Sequence, residues 1–185
     1  MLESPFDVSY RIGDDLRDVP NDADQGCNAL SWLNSQLEKT ADCRQQAQLL
    51  GLMGSYARLL GDLPTAQRHI ALAIDKAQSV GDIQLKTANR IRLAHVYHWQ
   101  ENYAESEALF DAVIERCQSI PELKMYLDFA YQHAGKCKFD RKQYEAALSY
   151  FEAALLLRMS KLDQSLVSST QYAIDITTAA WGKGL

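Results

Sequence analysis

"LAHVYHWQENYAESEALF", residues 93–110, joins an apolar helical stretch to a second one through a short charged turn. It places His95 and His98 three residues apart beside Trp99, an arrangement that reads either as half of a metal site or as the wall of a repeating structure. A catalytic constellation occurs once in a chain, whereas an architectural unit recurs. Shifted by 40, 40 and then 41 residues, Gly26, Ala66, Ser106 and Ala147 coincide. Leu30, Ile70, Phe110 and Phe151 follow four residues later, and Leu33, Ala73, Val113 and Ala154 three after that. On the preceding helices Met53–Gly54, Leu93–Ala94 and Ala134–Gly135 fall into register, while Leu63, Tyr103 and Tyr144 open the partner helices. A small residue lets two helices approach and a large one fills the space beyond, so the unit is a helical hairpin repeated along the chain.

Around this stretch the chain reads as one helix after another, with apolar residues at spacings of three and four and almost no strand-like alternation. Helices are expected over 24–39, 42–60, 64–79, 83–99, 103–118, 121–139, 142–159 and 164–181. Pro20 precedes the first of them, Pro64 and Pro121 fall in first turns, and Gly81–Asp82 supplies a stop followed by a possible N-cap. Loops of about two to five residues force neighbouring helices to run antiparallel. Leu166, Thr170, Ile174, Thr177 and Trp181 form one stripe on the last helix, which is expected to cap the stack.

With 185 residues, 47 % apolar and 23 % charged, the chain fits one ordinary globular domain, residues 23–185, behind an N-terminal arm, residues 1–22. Seven of the 24 acidic residues but only two of the 19 basic ones lie within residues 1–24, so the arm is acidic and the body neutral. An arm of this composition is expected as a disordered tail; its charge also suits docking into a basic groove, where it would compete with a partner. The net charge of −5 argues against nucleic acid as a partner. The absence of a long apolar run argues against the membrane, and the chain is expected in the cytoplasm. Cys27, Cys43, Cys117 and Cys137 form no CxxC pair and are expected as reduced, small hydrophobes.

The stretches "GDLPTAQRHIALAI", "ENYAESEALFDAVI" and "RKQYEAALSYFEAAL" resemble the tetratricopeptide repeat, with its small residue, large residue, turn and A-x3-F-x2-A pattern. The resemblance covers about residues 23–159, and the 40- to 41-residue period is similar to the long variety found in kinesin light chains, Rap-type bacterial regulators and MalT-like domains. It implies an all-α fold, a right-handed superhelical α-solenoid of antiparallel helix hairpins, with about three repeats, a flanking half repeat and the C-terminal capping helix. It also implies that the first helix of each hairpin lines a concave groove. In that register Gln48, Gly51, Ser55 and Arg58 face inward, then Arg92, His95, His98 and Trp99, then Gln132, His133, Lys136 and Phe139. The peptide-binding candidates are Arg58, Arg92, His95, His98, Trp99, Gln132, His133 and Lys136. Gly51 and Ser55 replace the Lys and Asn with which some members clamp a C-terminal carboxylate, so that clamp is not expected.

Catalysis has little footing in these residues. His95 and His98, with His133 one hairpin along, lack an HExxH pattern and a carboxylate on the same face, so no metal and no other cofactor is expected. His69 is expected at the surface. No nucleophile elbow or phosphate loop occurs, and "GKGL" at the C-terminus follows a helix instead of opening one. The expected function is a non-enzymatic scaffold or adaptor that holds a peptide segment of another protein in its groove. Two other readings are a module that senses a peptide or small ligand and acts on a separate effector, and a self-associating module that dimerises through Trp32 or Trp181.

Overall fold

The computed structural model describes residues 4–183. Eight α-helices follow one another: α1 Ala23–Leu37, α2 Cys43–Leu59, α3 Leu63–Ser79, α4 Ile83–Trp99, α5 Tyr103–Ser119, α6 Leu127–Asp140, α7 Tyr144–Ser160 and α8 Gln164–Lys183. Each packs on the next as an antiparallel hairpin, and α2, α4 and α6 also touch in series, forming one face of a helical solenoid. No helix among the described residues is long and apolar enough to cross a membrane.

The start of each helix has a local cause. Asp22, Asp42, Asp62 and Asp82 stand at N-caps 20 residues apart, and each carboxylate accepts from the backbone N–H three residues on. The ends are equally regular. Gly61, Gly81, Glu101, Lys142 and Leu162 all take positive φ, between 57° and 84°. This left-handed residue reverses the chain and lets the next N–H return to the helix, as from Asp62 to the Ala57 carbonyl and from Asn102 to that of Tyr97. Lys142 is why α7 begins at Tyr144 and not at 142: a left-handed residue cannot be the first of a right-handed helix.

The link between α5 and α6 departs from this pattern. The single helix expected over 121–139 is instead a 3-10 segment, Pro121–Tyr126, followed by α6. Ile120 is extended and Pro121 starts the 3-10 turn, so no left-handed residue is used, and the fully buried Leu123 anchors the segment. The one-residue lengthening of the repeat from 40 to 41 spans this link.

The small-against-large pattern of the repeat is visible as packing. Gly26, Ala66, Ser106 and Ala147 are all buried, and Ile70, Phe110 and Phe151 are at most 1 % exposed. A β-carbon at Gly54 would lie within 2.9 Å of two Ile70 side-chain carbons, and one at Gly135 would lie 2.6 Å from the Phe151 ring. On the last helix Thr170, Ala173 and Thr177 are buried against α7, whereas Trp181 is 39 % exposed and does not complete the expected stripe.

The arm is not a featureless tail over its described length. Tyr10–Ile12 (β1) and Asp18–Pro20 (β2) pair antiparallel, with Ile12 opposite Asp18, and Gly13–Arg17 form the loop. The Gly13 N–H donates to the Arg17 carbonyl and the Leu16 N–H to the Gly13 carbonyl, closing the turn. Sequence alternation misses strands three residues long, because period-2 patterning needs a longer run to register.

Two substitutions test the turn and packing arguments in opposite directions. Lys142→Gly relieves a left-handed non-glycine residue and is expected to raise stability by up to about 1 kcal/mol. Gly135→Ala presses a methyl group on a ring that has no room to move and is expected to lower stability by about 1–3 kcal/mol despite its better helix propensity. Urea denaturation of both variants measures the two effects.

Candidate functional site

The face shared by α2, α4 and α6 carries most of the cations and histidines singled out in the sequence. Arg58 comes from the last turn of α2, Arg92, His95, His98 and Trp99 from α4, and Gln132, His133 and Lys136 from α6. The hairpin lies against this face and brings Asp18 into it. Arg58 Nη2 donates to Asp18 Oδ2 at 2.8 Å and Lys136 Nζ to Asp18 Oδ1 at 2.9 Å. Asp18 is 5 % and Lys136 4 % exposed, so this carboxylate and its two cations form a buried cluster.

Burial alone works to raise the Asp18 pKa, but Lys136 and then Arg58 outweigh it and hold the carboxyl at about 2. Burial lowers the Lys136 pKa, against the pull of Asp18. Three further contacts hold the hairpin. Arg17 Nη2 donates to Asp140 Oδ2 at 3.1 Å, and the Tyr172 hydroxyl donates to Asp14 Oδ1 at 2.9 Å. Leu16, 2 % exposed, joins an apolar cluster with Ala147, Phe151 and Ala173, against which Phe139 also packs. Leu16 has φ 59°, a conformation that costs about 1–2 kcal/mol for a residue with a β-carbon; burial of its side chain offsets that cost.

The histidines form a stack. The His95 ring lies 5.8 Å from that of His98 and 4.1 Å from that of His133. Trp99 Nε1 donates to His95 Nε2 at 3.0 Å, which fixes the proton of a neutral His95 on Nδ1 because indole only donates. Burial first, and then the cations Arg58 and Lys136, push the His95 pKa well below 6.5. Burial and Lys136 do the same to His133. Both rings are therefore neutral near pH 7. His98 Nε2 lies 2.8 Å from Asp140 Oδ2, which ties α4 to the end of α6 and, through Arg17, to the hairpin. Arg58 and Arg17 place their guanidinium carbons 4.5 and 5.6 Å from the centre of the Trp99 ring.

The sequence candidates thus divide. Arg58, Arg92, His95 and His133 border a cavity of about 370 Å³ between the helical face and the hairpin, with Asp18 and Tyr10 on the hairpin side. Lys136 is turned to Asp18, while His98, 1 % exposed, is turned to Asp140. Gln132 is 3 % exposed and its Oε1 has no partner. Trp99 is half-buried beneath the two arginines. His69, on α3, is half-buried at the surface, and its Nδ1 is enclosed without a partner.

Sequence reasoning missed Asp18, Asp140, Leu16 and Asn89. Asp18 was one of seven acids in the arm, with nothing in its local pattern to separate it from the rest. Asn89, fully buried, accepts from Arg92 Nη1 at 2.8 Å, and only the missing β-carbon of Gly51 leaves room for its amide oxygen, which would collide with that carbon. Among the described residues no three His, Cys, Asp or Glu side chains converge as a metal ion would require.

A second buried cluster braces the C-terminal end of the face. Arg158 donates through Nε to Asp128 at 3.2 Å and through Nη1 to the Thr170 hydroxyl at 2.7 Å, and Lys161 also bonds Asp128. The cluster joins α6, α7 and α8 and sets two cations beside the Phe129 ring.

A family model described as tetratricopeptide repeat matches residues 83–160, which span α4 to α7. A tetratricopeptide-type repeat is present over those helices, and the hairpin packing extends the same architecture to either side. No curated protein matches the chain.

The neutral histidines make stability acid-sensitive well before Asp18 is affected. A histidine whose folded pKa is depressed takes up its proton more readily in the unfolded chain, so stability falls as pH drops below 6.5, by up to about 1.4 kcal/mol per pH unit for each ring. The Asp18 contribution is complete above its ordinary value of 3.8 and fades only as pH falls towards about 2. Urea midpoints between pH 8 and 4.5 are expected to decline below 6.5 in the wild type and to flatten in His95→Gln/His133→Gln.

Proposed function

We propose that this chain is a non-catalytic protein-interaction scaffold whose groove, formed by α2, α4 and α6, binds an extended acidic segment of a partner protein in competition with the chain's own arm. The observation that carries the reading is the seat of Asp18. A hairpin is held on this face by one carboxylate of its second strand between Arg58 and Lys136, and by Arg17 on Asp140 and the apolar Leu16 from its turn. A partner segment with an apolar residue two positions ahead of an acidic one would reuse both anchors.

The energetics favour exchange over permanent closure. Removing one member of a buried ion pair costs about 3–5 kcal/mol when the remaining charge stays buried. Here lifting the hairpin returns Arg58 and Lys136 to water, and an incoming carboxylate restores the pairing. Charged side chains on the face would set approach and register, and the apolar anchor would supply much of the binding energy. The 40- to 41-residue spacing supports placing the repeat with the long-period variety of the family.

The reading is tested with a fluorescein-labelled peptide of residues 7–21 and the full chain carrying Asp18→Lys, which puts a third cation beside Arg58 and Lys136 and releases the arm. Fluorescence anisotropy is expected to give at least tenfold tighter binding to Asp18→Lys than to the wild type. Adding Arg58→Glu and Lys136→Glu, with the fold checked by circular dichroism, is expected to abolish that gain. Equal affinity of the wild type and Asp18→Lys for the peptide overturns competition at this face.

A further inference from the structure

The cavity beneath the hairpin contains more positive charge and more unmet hydrogen-bonding capacity than the arm uses. Arg58, Arg92 and Lys136 bring three cations to this region, and Asp18 is the one carboxylate set among them. Arg17 and Asp140 pair with each other, and the Arg158–Asp128–Lys161 cluster behind Phe129 adds a further excess cation. The histidines bordering the cavity, His95 and His133, are neutral and do not offset this charge.

Arg92 is the most telling of these groups. Its one hydrogen bond goes to the neutral Asn89, and no carboxylate pairs with it among the described residues. Burial pulls its pKa down from its ordinary value, and only tyrosines oppose the shift. Gly51 keeps clear the space in which Asn89 and Arg92 are held: a β-carbon there would stand 3.2 Å from Arg92 Nη1 as well as on top of Asn89. An arginine held in place by a buried amide, without a counter-ion and bordering a cavity, is oriented for a ligand. Arg58 and His133, which line the same cavity, each carry one enclosed nitrogen, Nη1 and Nδ1, without a partner. Buried polar atoms are ordinarily satisfied, so two unmet ones on residues that line one cavity mark a region whose polar groups the fold does not itself complete.

Apolar surface lines the cavity as well: Ile91, Phe129 and Tyr126 border it on the helical side, and Tyr10 borders it from the hairpin. A volume of about 370 Å³ is near the lower end of the roughly 300–1,000 Å³ of small-molecule sites.

We infer that the cavity between the hairpin and the α2–α4–α6 face binds a small organic carboxylate, its anionic head on Arg92 and Arg58 and its apolar or aromatic body against Ile91, Phe129 and Tyr126. The apolar body of such a ligand touches the helical face and Tyr10 of the hairpin together, and its head sits on the Arg92 side, away from the Asp18 carboxylate, so the body contact favours the docked arrangement of the hairpin over the lifted one. A small carboxylate and an acidic partner segment would then exclude each other. The inference concerns the wild-type chain alone and does not depend on a partner existing.

Isothermal titration calorimetry of the full wild-type chain with acetate, hexanoate, phenylacetate and indole-3-acetate, and with phenylacetamide and inorganic phosphate as controls, tests the site. Saturable one-to-one binding is expected for at least one of the three larger carboxylates, at least tenfold tighter than for acetate, phosphate or the neutral amide. Arg92→Gln is expected to weaken it at least tenfold. Arg92→Lys, which keeps the charge but loses the fork, is expected to fall between the two, and thermal denaturation without ligand checks that both variants fold. If none of the three larger carboxylates binds, or if Arg92→Gln folds and binds as tightly as the wild type, the assignment is overturned. Phosphate or phenylacetamide binding as tightly as phenylacetate overturns the carboxylate-plus-apolar assignment.

Discussion

Two cations without acids of their own, Arg58 on α2 and Lys136 on α6, set the terms for the inner face of this solenoid. Neither finds a carboxylate on a neighbouring helix; both find Asp18, from a segment that precedes the first helix. Long-range complementarity of this kind does what short-range helix pairing cannot. It draws the segment ahead of α1 across α2, α4 and α6 and makes the hairpin part of the fold. Asp140 repeats the device on a smaller scale, taking His98 from α4 and Arg17 from the arm on one oxygen. The net result is a face whose charge is met from outside the helical repeat.

The repeat was legible because its cause is local and periodic. Gly54 against Ile70 and Gly135 against Phe151 are contacts between residues at fixed spacings, and a shift of the sequence by 40 or 41 exposes them. The N-cap aspartates at 22, 42, 62 and 82 recur at half that period, once per helix, and the left-handed turn residues at 61, 81 and 101 keep the same step. The break after α5 was less visible, because Pro121 suits the first turn of a 3-10 segment as well as that of an α-helix. Basic residues and histidines on the inner face could be placed from the repeat register alone, since register determines which side of a helix a residue occupies.

What lay out of reach depended on partners distant in sequence. The bonds from Asp18 to Lys136 and to Arg58 span 118 and 40 residues, and no repeat relates their ends. The charge contrast between the acidic arm and the neutral body suggested docking but could not choose among seven acids. Asn89 looked like an ordinary polar residue in a helix. Its role as the holder of Arg92 rests on the absence of a side chain at Gly51, on another helix.

The hairpin and the helical body also differ in how firmly they are held. The body buries a continuous series of small–large contacts, from Ala29 through Phe110 to Ala173, and loses them only by coming apart. The hairpin rests on two three-residue strands, one buried leucine and a few polar contacts, and one of these, Asp14 to Tyr172, is exposed to solvent. Elements with few buried apolar contacts open at free energies well below that of global unfolding. The face beneath is already built when the hairpin lifts, because Gly51, Asn89, Ile91 and Phe129 belong to helices packed independently of it. A wall built from the helices alone, behind a cover with so few buried apolar contacts, separates the stability of the arm's docking from that of the solenoid, so under the proposed competition a ligand would contend with the first and not with the second.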